Sequence, residues 1–233
     1  MGDALENLYP ERRGDLAAEL ARHFEQAGDN DRAFVYLLDA AKFAFERNAV
    51  VEAFELYSRA AAALPPQTDD EGEVILRHRV EIGIGQARTG FSFLERTTQI
   101  AIIEKAVVDA ERLGDFRLIG DAHLYNALQR QFEGERVETS ETLRKSLDRV
   151  AEVAEALNDP LFAALPKSII GITEVFSGEL REGIRNLEEA APLLSQKRDF
   201  VGSSFALMAL GVGYARLGDF DKADAAVKHA KEE

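Results

Sequence analysis

The stretch FALMALGVGYARLGDFDKADAAVKHA, residues 205–230, holds a glycine pattern open to two readings. Its core GVGYARLG (211–218) reads G-x-G-x-x-x-x-G, and GIGQARTG at 83–90 repeats that spacing far upstream. One reading is a loop wrapped around nucleotide phosphates. That loop needs a strand before the first glycine and a helix starting at it, so that the phosphates sit on the helix N-terminus. Both motifs here lie within stretches of helical character, which makes the glycines packing positions instead.

Working outward from the last glycine of each motif, a small residue stands seven positions before a Gly or Asn six times along the chain. The pairs are Ala21 with Gly28, Ala41 with Asn48, Gly83 with Gly90, Ala127 with Gly134, Gly171 with Gly178, and Gly211 with Gly218. Seven residues are close to two helical turns, so the small residue occupies a fixed face. The later residue is of the type that tolerates the left-handed conformation ending a helix. Ala33, Ala53, Gly183 and Ala223 follow five residues beyond four of these marks. The marks are spaced by 20, 42, 44, 44 and 40 residues, which suits a helix–turn–helix unit, with 31–47 shared between two units.

The pattern predicts an all-α chain of about 11 helices, at 13–27, 31–47, 50–64, 73–89, 95–113, 117–133, 136–157, 160–177, 180–196, 199–217 and 220–231. Pro65-Pro66 ends one helix, and the acidic run Asp69, Asp70, Glu71 is expected to open the next, where the dipole favours negative charge. Pro160 suits a first turn. Pro166 and Pro192 fall inside expected spans and should kink or shorten them. Asp29 or Asn30, and Asp219, are expected helix caps.

Leu210-Gly211, Tyr214, Gly218, Ala223 and Ala230 closely resemble the tetratricopeptide repeat pattern. SGELREGIRNLEEAA (177–191) and HFEQAGDNDRAFVYLLDAA (23–41) resemble it less fully, and the register around Gly90 is blurred by FSFLERTTQ. The resemblance implies a right-handed α-solenoid of antiparallel helix hairpins over the whole of 1–233. A three-helix part, 1–66, would precede four hairpin repeats, 67–233. Repeats of this length resemble those of bacterial regulators. Residues 8–66 also resemble the segment that follows the ATPase module in multidomain signal-transduction ATPases, some of which carry adenylate or guanylate cyclase domains and others a DNA-binding domain. The chain is accordingly expected to be a fragment of a larger protein.

Composition narrows the partners. The 233 residues carry a formal charge of -14, so a polyphosphate backbone meets net repulsion and nucleic acid is not an expected partner. There is no Cys, hence no disulfide framework, which fits a cytoplasmic location. The charged start MGDALENLYPERRGD is unlike an export signal, and the longest apolar stretch is too short for a membrane span. His23, His78, His123 and His229 are scattered, with no H-E-x-x-H face, and neither GDNDRA nor GDFDKADA has a calcium loop's spacing. No metal, cofactor or catalytic residue is expected. Phe34, Phe43, Phe45 and Phe54 read as core.

Residues ten, six and two before four of the marks form an i, i+4, i+8 stripe: Val80, Ile84, Arg88; Leu124, Leu128, Phe132; Ser168, Ile172, Phe176; Met208, Val212, Arg216. In the repeat family this stripe lines the concave surface. It would then form a groove of Ile84, Arg88, Leu128, Phe132, Ile172, Phe176, Met208, Val212 and Arg216, suited to an amphipathic peptide with acidic groups or to an anionic small molecule. The alternative is ordinary core between helix layers. The expected function is a non-catalytic scaffold, the sensing segment of a signalling ATPase or nucleotide cyclase, binding a protein or peptide partner or other domains of its parent chain. The rival is a small-molecule or peptide receptor domain of a transcriptional regulator.

Overall fold

Most of the expected helices end at a Gly or Asn that can turn left-handed, and the computed structural model shows why those residues recur. It describes residues 13–232 apart from 69, 138 and 197–199; the expectations for 1–12 and for Asp69 lie outside them. The described residues form eleven α-helices and no strand: α1 (Arg13–Ala27), α2 (Asn30–Glu46), α3 (Val50–Ala63), α4 (Glu73–Thr89), α5 (Arg96–Leu113), α6 (Phe116–Phe132), α7 (Glu141–Leu157), α8 (Pro160–Ser177), α9 (Leu180–Gln196), α10 (Phe200–Leu217) and α11 (Phe220–Glu232). They group into two units, the first ending at Leu118 and the second beginning at Ile119, within the first turn of α6.

Gly28, Asn48, Gly134, Gly178 and Gly218 all have positive φ, between 60° and 105°. At Gly28 the turn is closed by two bonds, Asp29 N–H to the Phe24 carbonyl (3.0 Å) and Gly28 N–H to that of Glu25 (3.1 Å). The same pair recurs at Gly218-Asp219 and at Asn158-Asp159. The residue after the turn then caps the next helix: the Asp29 carboxylate accepts from Arg32 N–H (3.1 Å), and Asp219 from Lys222 N–H (3.3 Å). Asp115 and Asp159 cap α6 and α8 likewise. A left-handed residue followed by an acid therefore makes a two-residue hairpin connection, and it also does so at Gly114 and Asn158, which the spacing rule passes over.

In the first unit α1 packs on α2, α2 on α3, α3 on α4 and α4 on α5, with α2 also reaching α4. In the second, α7 packs on α8, α8 on α9, α9 on α10 and α10 on α11, and α8 touches α10. These are successive hairpins of an α-solenoid. The doubled glycines of the opening motifs serve this stacking. Two residues turn a helix by about 200°, so the two glycines of G-x-G face opposite neighbours. A methyl on Gly83 would meet Ala106 Cβ of α5 at 3.0 Å, while one on Gly85 would lie 2.3 Å from the Tyr57 ring of α3. Gly211 similarly faces Val227 of α11, and Gly213 faces Ile184 of α9.

Several expectations need correction. Gly90 has φ −77°, and the chain passes from α4 into a 3-10 turn, Gly90–Ser92, instead of a left-handed stop. The Gln99 side-chain amide, wholly buried, holds that insertion by donating to the carbonyls of Gly90 (3.1 Å) and Leu94 (2.8 Å). The seventh helix begins at Glu141, not 136, because Ser140 supplies the cap, accepting from Leu143 N–H at 3.1 Å. Pro166 and Pro192 shorten neither α8 nor α9, since each helix is held along its length by neighbours. Glu71 does not serve the start of α4: it turns to Arg79, whose Nη2 lies 2.5 Å away.

Between α2 and α4, Glu81 stands 3.0 Å from Lys42 Nζ and 3.5 Å from His78 Nδ1. Burial alone would raise the Glu81 pKa, but the adjacent His78 and the Lys42 charge outweigh it and hold the carboxyl below its usual range. A carboxylate depressed in the folded state adds stability that is complete above its unfolded pKa and is lost as pH falls through the folded one. Lys42→Met should therefore lower stability at neutral pH, and its acid-unfolding curve should converge on that of wild type only once the pH has fallen through the depressed folded pKa of Glu81. A constant gap across the whole pH range would show that Lys42 acts through packing alone.

Candidate functional site

The helices that open successive hairpins in the second unit, α6, α8 and α10, are bound to one another by side chains that reach the next helix's backbone. Gln131 Nε2 of α6 donates to the Ile169 carbonyl of α8 at 2.6 Å and to Thr173 Oγ1. Arg216 Nη1 of α10 donates to the Val175 carbonyl of α8 at 2.8 Å. These bonds set three helices side by side.

The face they share is apolar and open. Phe132 is 37 % exposed, Phe176 62 %, Met208 55 % and Val212 37 %, and Leu128 and Ile172 are half-buried beside them. Phe205, which the i, i+4, i+8 rule skips, belongs to the same row: it is 42 % exposed and meets Phe132 edge-on with ring centroids 5.8 Å apart. Its signal was present, because Phe205, Met208 and Val212 follow an i, i+3, i+7 spacing on one face. At the end of the stripe farthest from the turns Leu124 and Ser168 are buried, whereas Met208 at the same position of α10 is not.

In the first unit Val80 and Ile84 are buried, and Arg88 stacks on the Phe45 ring with its guanidinium carbon 3.3 Å from the centroid. Phe45 packs against the core of that unit, and Phe34 is itself buried. Tyr57, under Gly85, has its hydroxyl pKa pushed up to about 12, chiefly by burial, with nearby Arg88 opposing and Glu81 and Glu46 adding.

Two residues before Phe176, Glu174 is raised above the usual carboxylate range. Burial is the main cause; the hydrogen bond from Asn186 Nδ2 (2.7 Å) opposes it, and the nearby charges of Glu179 and Glu182 add to it. Tyr214 on α10 donates to Glu188 of α9, and its hydroxyl is likewise raised, by burial first and then by that bond. Among the described residues no cluster of three or more His, Asp or Glu could hold a metal ion, and no helix is long and apolar enough to cross a membrane.

No family model matches the chain, and no curated protein matches it. Among solved structures, the crystal structure of BtubC (BKLC) from P. vanneervenii is similar with a TM-score of 0.58, over 95% of this chain and 87% of that one, at 16% sequence identity. A likeness at that identity bears on the fold alone, and it agrees with an α-solenoid.

Proposed function

We propose that the chain is a non-catalytic scaffold of the tetratricopeptide type, docking an apolar helical or extended segment on the face formed by α6, α8 and α10. The observation that carries this reading is the open row of Phe132, Phe176, Phe205, Met208 and Val212 on three adjacent helices. Five large apolar side chains exposed side by side make a contiguous apolar patch of the kind that marks interaction sites. Stacked hairpins leave such faces free because each repeat buries only its contacts with neighbours. Aromatic residues at the centre of a face are the usual carriers of binding energy.

The resemblance of residues 8–66 to signal-transduction ATPases and nucleotide cyclases supports reading this scaffold as a cytoplasmic sensing segment, with another domain of the parent chain or a separate protein as its partner. A partner that prefers one arrangement of the stacked helices would bias whatever effector the chain is joined to.

Selection from a displayed library of helical peptides tests the docking face. Selected sequences should carry apolar residues at i, i+3 or i+4 spacing, and Phe176→Ser with Met208→Ser should weaken them at least about tenfold by fluorescence anisotropy. Both residues are exposed, so the helical circular dichroism should not change. Equal affinity for the double variant would remove this assignment. A second reading, a receptor for a small molecule, is favoured by a cleft in the first unit.

A further inference from the structure

Between α3, α4 and α5 the first unit holds a cleft of about 220 Å³. Leu64, Ile82, Ile102 and Ala106 form an apolar part of its wall, and polar side chains, Gln86 and Arg79 of α4 with Lys105 and Asp109 of α5, form another. Asp109 is only 3 % exposed. Its Oδ1 accepts from Gln67 Nε2 at 2.8 Å, while Oδ2, fully buried, meets no hydrogen-bond donor. A carboxylate oxygen withdrawn from water and left without a donor is costly, and an ionised carboxylate can only accept. Lys105 is exposed and has no ion-pair partner among the described residues. The remaining cation on the wall, Arg79, is committed to Glu71 and to the Pro65 carbonyl.

We propose that this cleft binds a small zwitterion with an aliphatic side chain, the chemistry of a free amino acid. As the ligand enters, the Asp109 carboxylate, whose Oδ2 is shut off from water without it, turns toward the cleft, and the ligand's ammonium supplies the donor that Oδ2 lacks. Its carboxylate meets Lys105, and its side chain lies against Ile82, Ile102 and Leu64. A single water, with a share of roughly 30 Å³ in the liquid, would satisfy Oδ2 but leave most of this partly apolar volume unfilled. The site lies wholly within the first unit and does not depend on the docking face of the second.

Three probes separate the contributions: L-leucine, isoamylamine, which lacks the carboxylate, and isocaproate, which lacks the ammonium. Each is titrated into the full chain up to millimolar concentration, following the amide resonances of Gly83 and Ala106 together with calorimetric heat. Leucine should saturate, isoamylamine should bind about tenfold more weakly, and isocaproate should not bind. Asp109→Asn, which keeps an acceptor for Gln67, should abolish leucine binding without lowering the thermal midpoint. Lys105→Met should weaken leucine about tenfold and leave isoamylamine unchanged. The proposal is overturned if leucine gives no saturable shift, as it would if water or a swing of Lys105 onto Asp109 completes the site. It is also overturned if isocaproate binds as well as leucine, or if Lys105→Met leaves leucine affinity intact.

Discussion

Phe162→Ala should destabilise the second unit by roughly 3–5 kcal/mol, the usual cost of emptying a buried aromatic site. Phe162 is wholly buried on α8, and its ring lies over Gly120 of α6, so close that a methyl on Gly120 would come within 2.3 Å of Cε1 and 2.9 Å of Val153 Cγ1. The glycine leaves the space that the ring fills. The two sites are therefore coupled, and coupled sites are not additive. Gly120→Ala alone should destabilise, because the buried ring cannot move aside, whereas in a Phe162→Leu background the added methyl should cost much less. Hydrogen exchange of amides in α7–α9 under native conditions, with urea unfolding followed by circular dichroism, reads both effects. Unchanged protection in Phe162→Ala would show that the ring contributes nothing to the unit.

The second large effect is expected at the crossing of α8 and α9. A methyl on Gly183 would meet the Gly171 carbonyl oxygen and the Val175 nitrogen, both at 2.8 Å, and these are backbone atoms that no rotamer change can withdraw. Gly183→Ala gains roughly 1 kcal/mol of helix propensity. It incurs overpacking of about 1–3 kcal/mol, with the higher part of that range expected where backbone is struck, so the net effect is destabilising. Gly183→Leu should be worse. Gly211→Ala is the control, since its methyl meets the Val227 Cγ2 methyl at 2.9 Å and the Ala223 carbonyl oxygen at 3.5 Å. Val227 is partly exposed and can turn away, so the propensity gain should roughly cancel the crowding. If Gly183→Ala and Gly211→Ala gave equal urea midpoints, backbone contact at the α8–α9 crossing would not be what the glycine provides.

Most of the helical frame was legible because it is written in local chemistry. Gly28, Asn48, Gly134, Gly178 and Gly218 turn left-handed where the spacing says they should, and Asp29 and Asp219 cap the helices that follow. These are properties of one residue and its immediate neighbours, hence readable without the fold. Errors arose where a distant partner intervened. Gly90 is of the right type, yet Gln99 gathers the carbonyls around it and draws the chain into a 3-10 turn. Pro166 and Pro192 are helix breakers in isolation, but packing on both sides carries α8 and α9 through them.

By itself the sequence determined that this protein is all-helical, where its hairpins turn, and that its paired glycines belong to helices. Each of these follows from periodicity and backbone preference over a few residues. Only the tertiary structure decided which members of one stripe are core and which are surface. Leu124 is buried while Met208 stands open, although each lies ten residues before its turn, and Ile84 is buried while Val212, like it six residues before the turn, is open. It also decided that Asp109 lines a partly apolar cleft with one oxygen lacking a donor. Helical spacing orders side chains around one axis, whereas exposure depends on how closely the next helix approaches, and that distance is set by residues forty positions away.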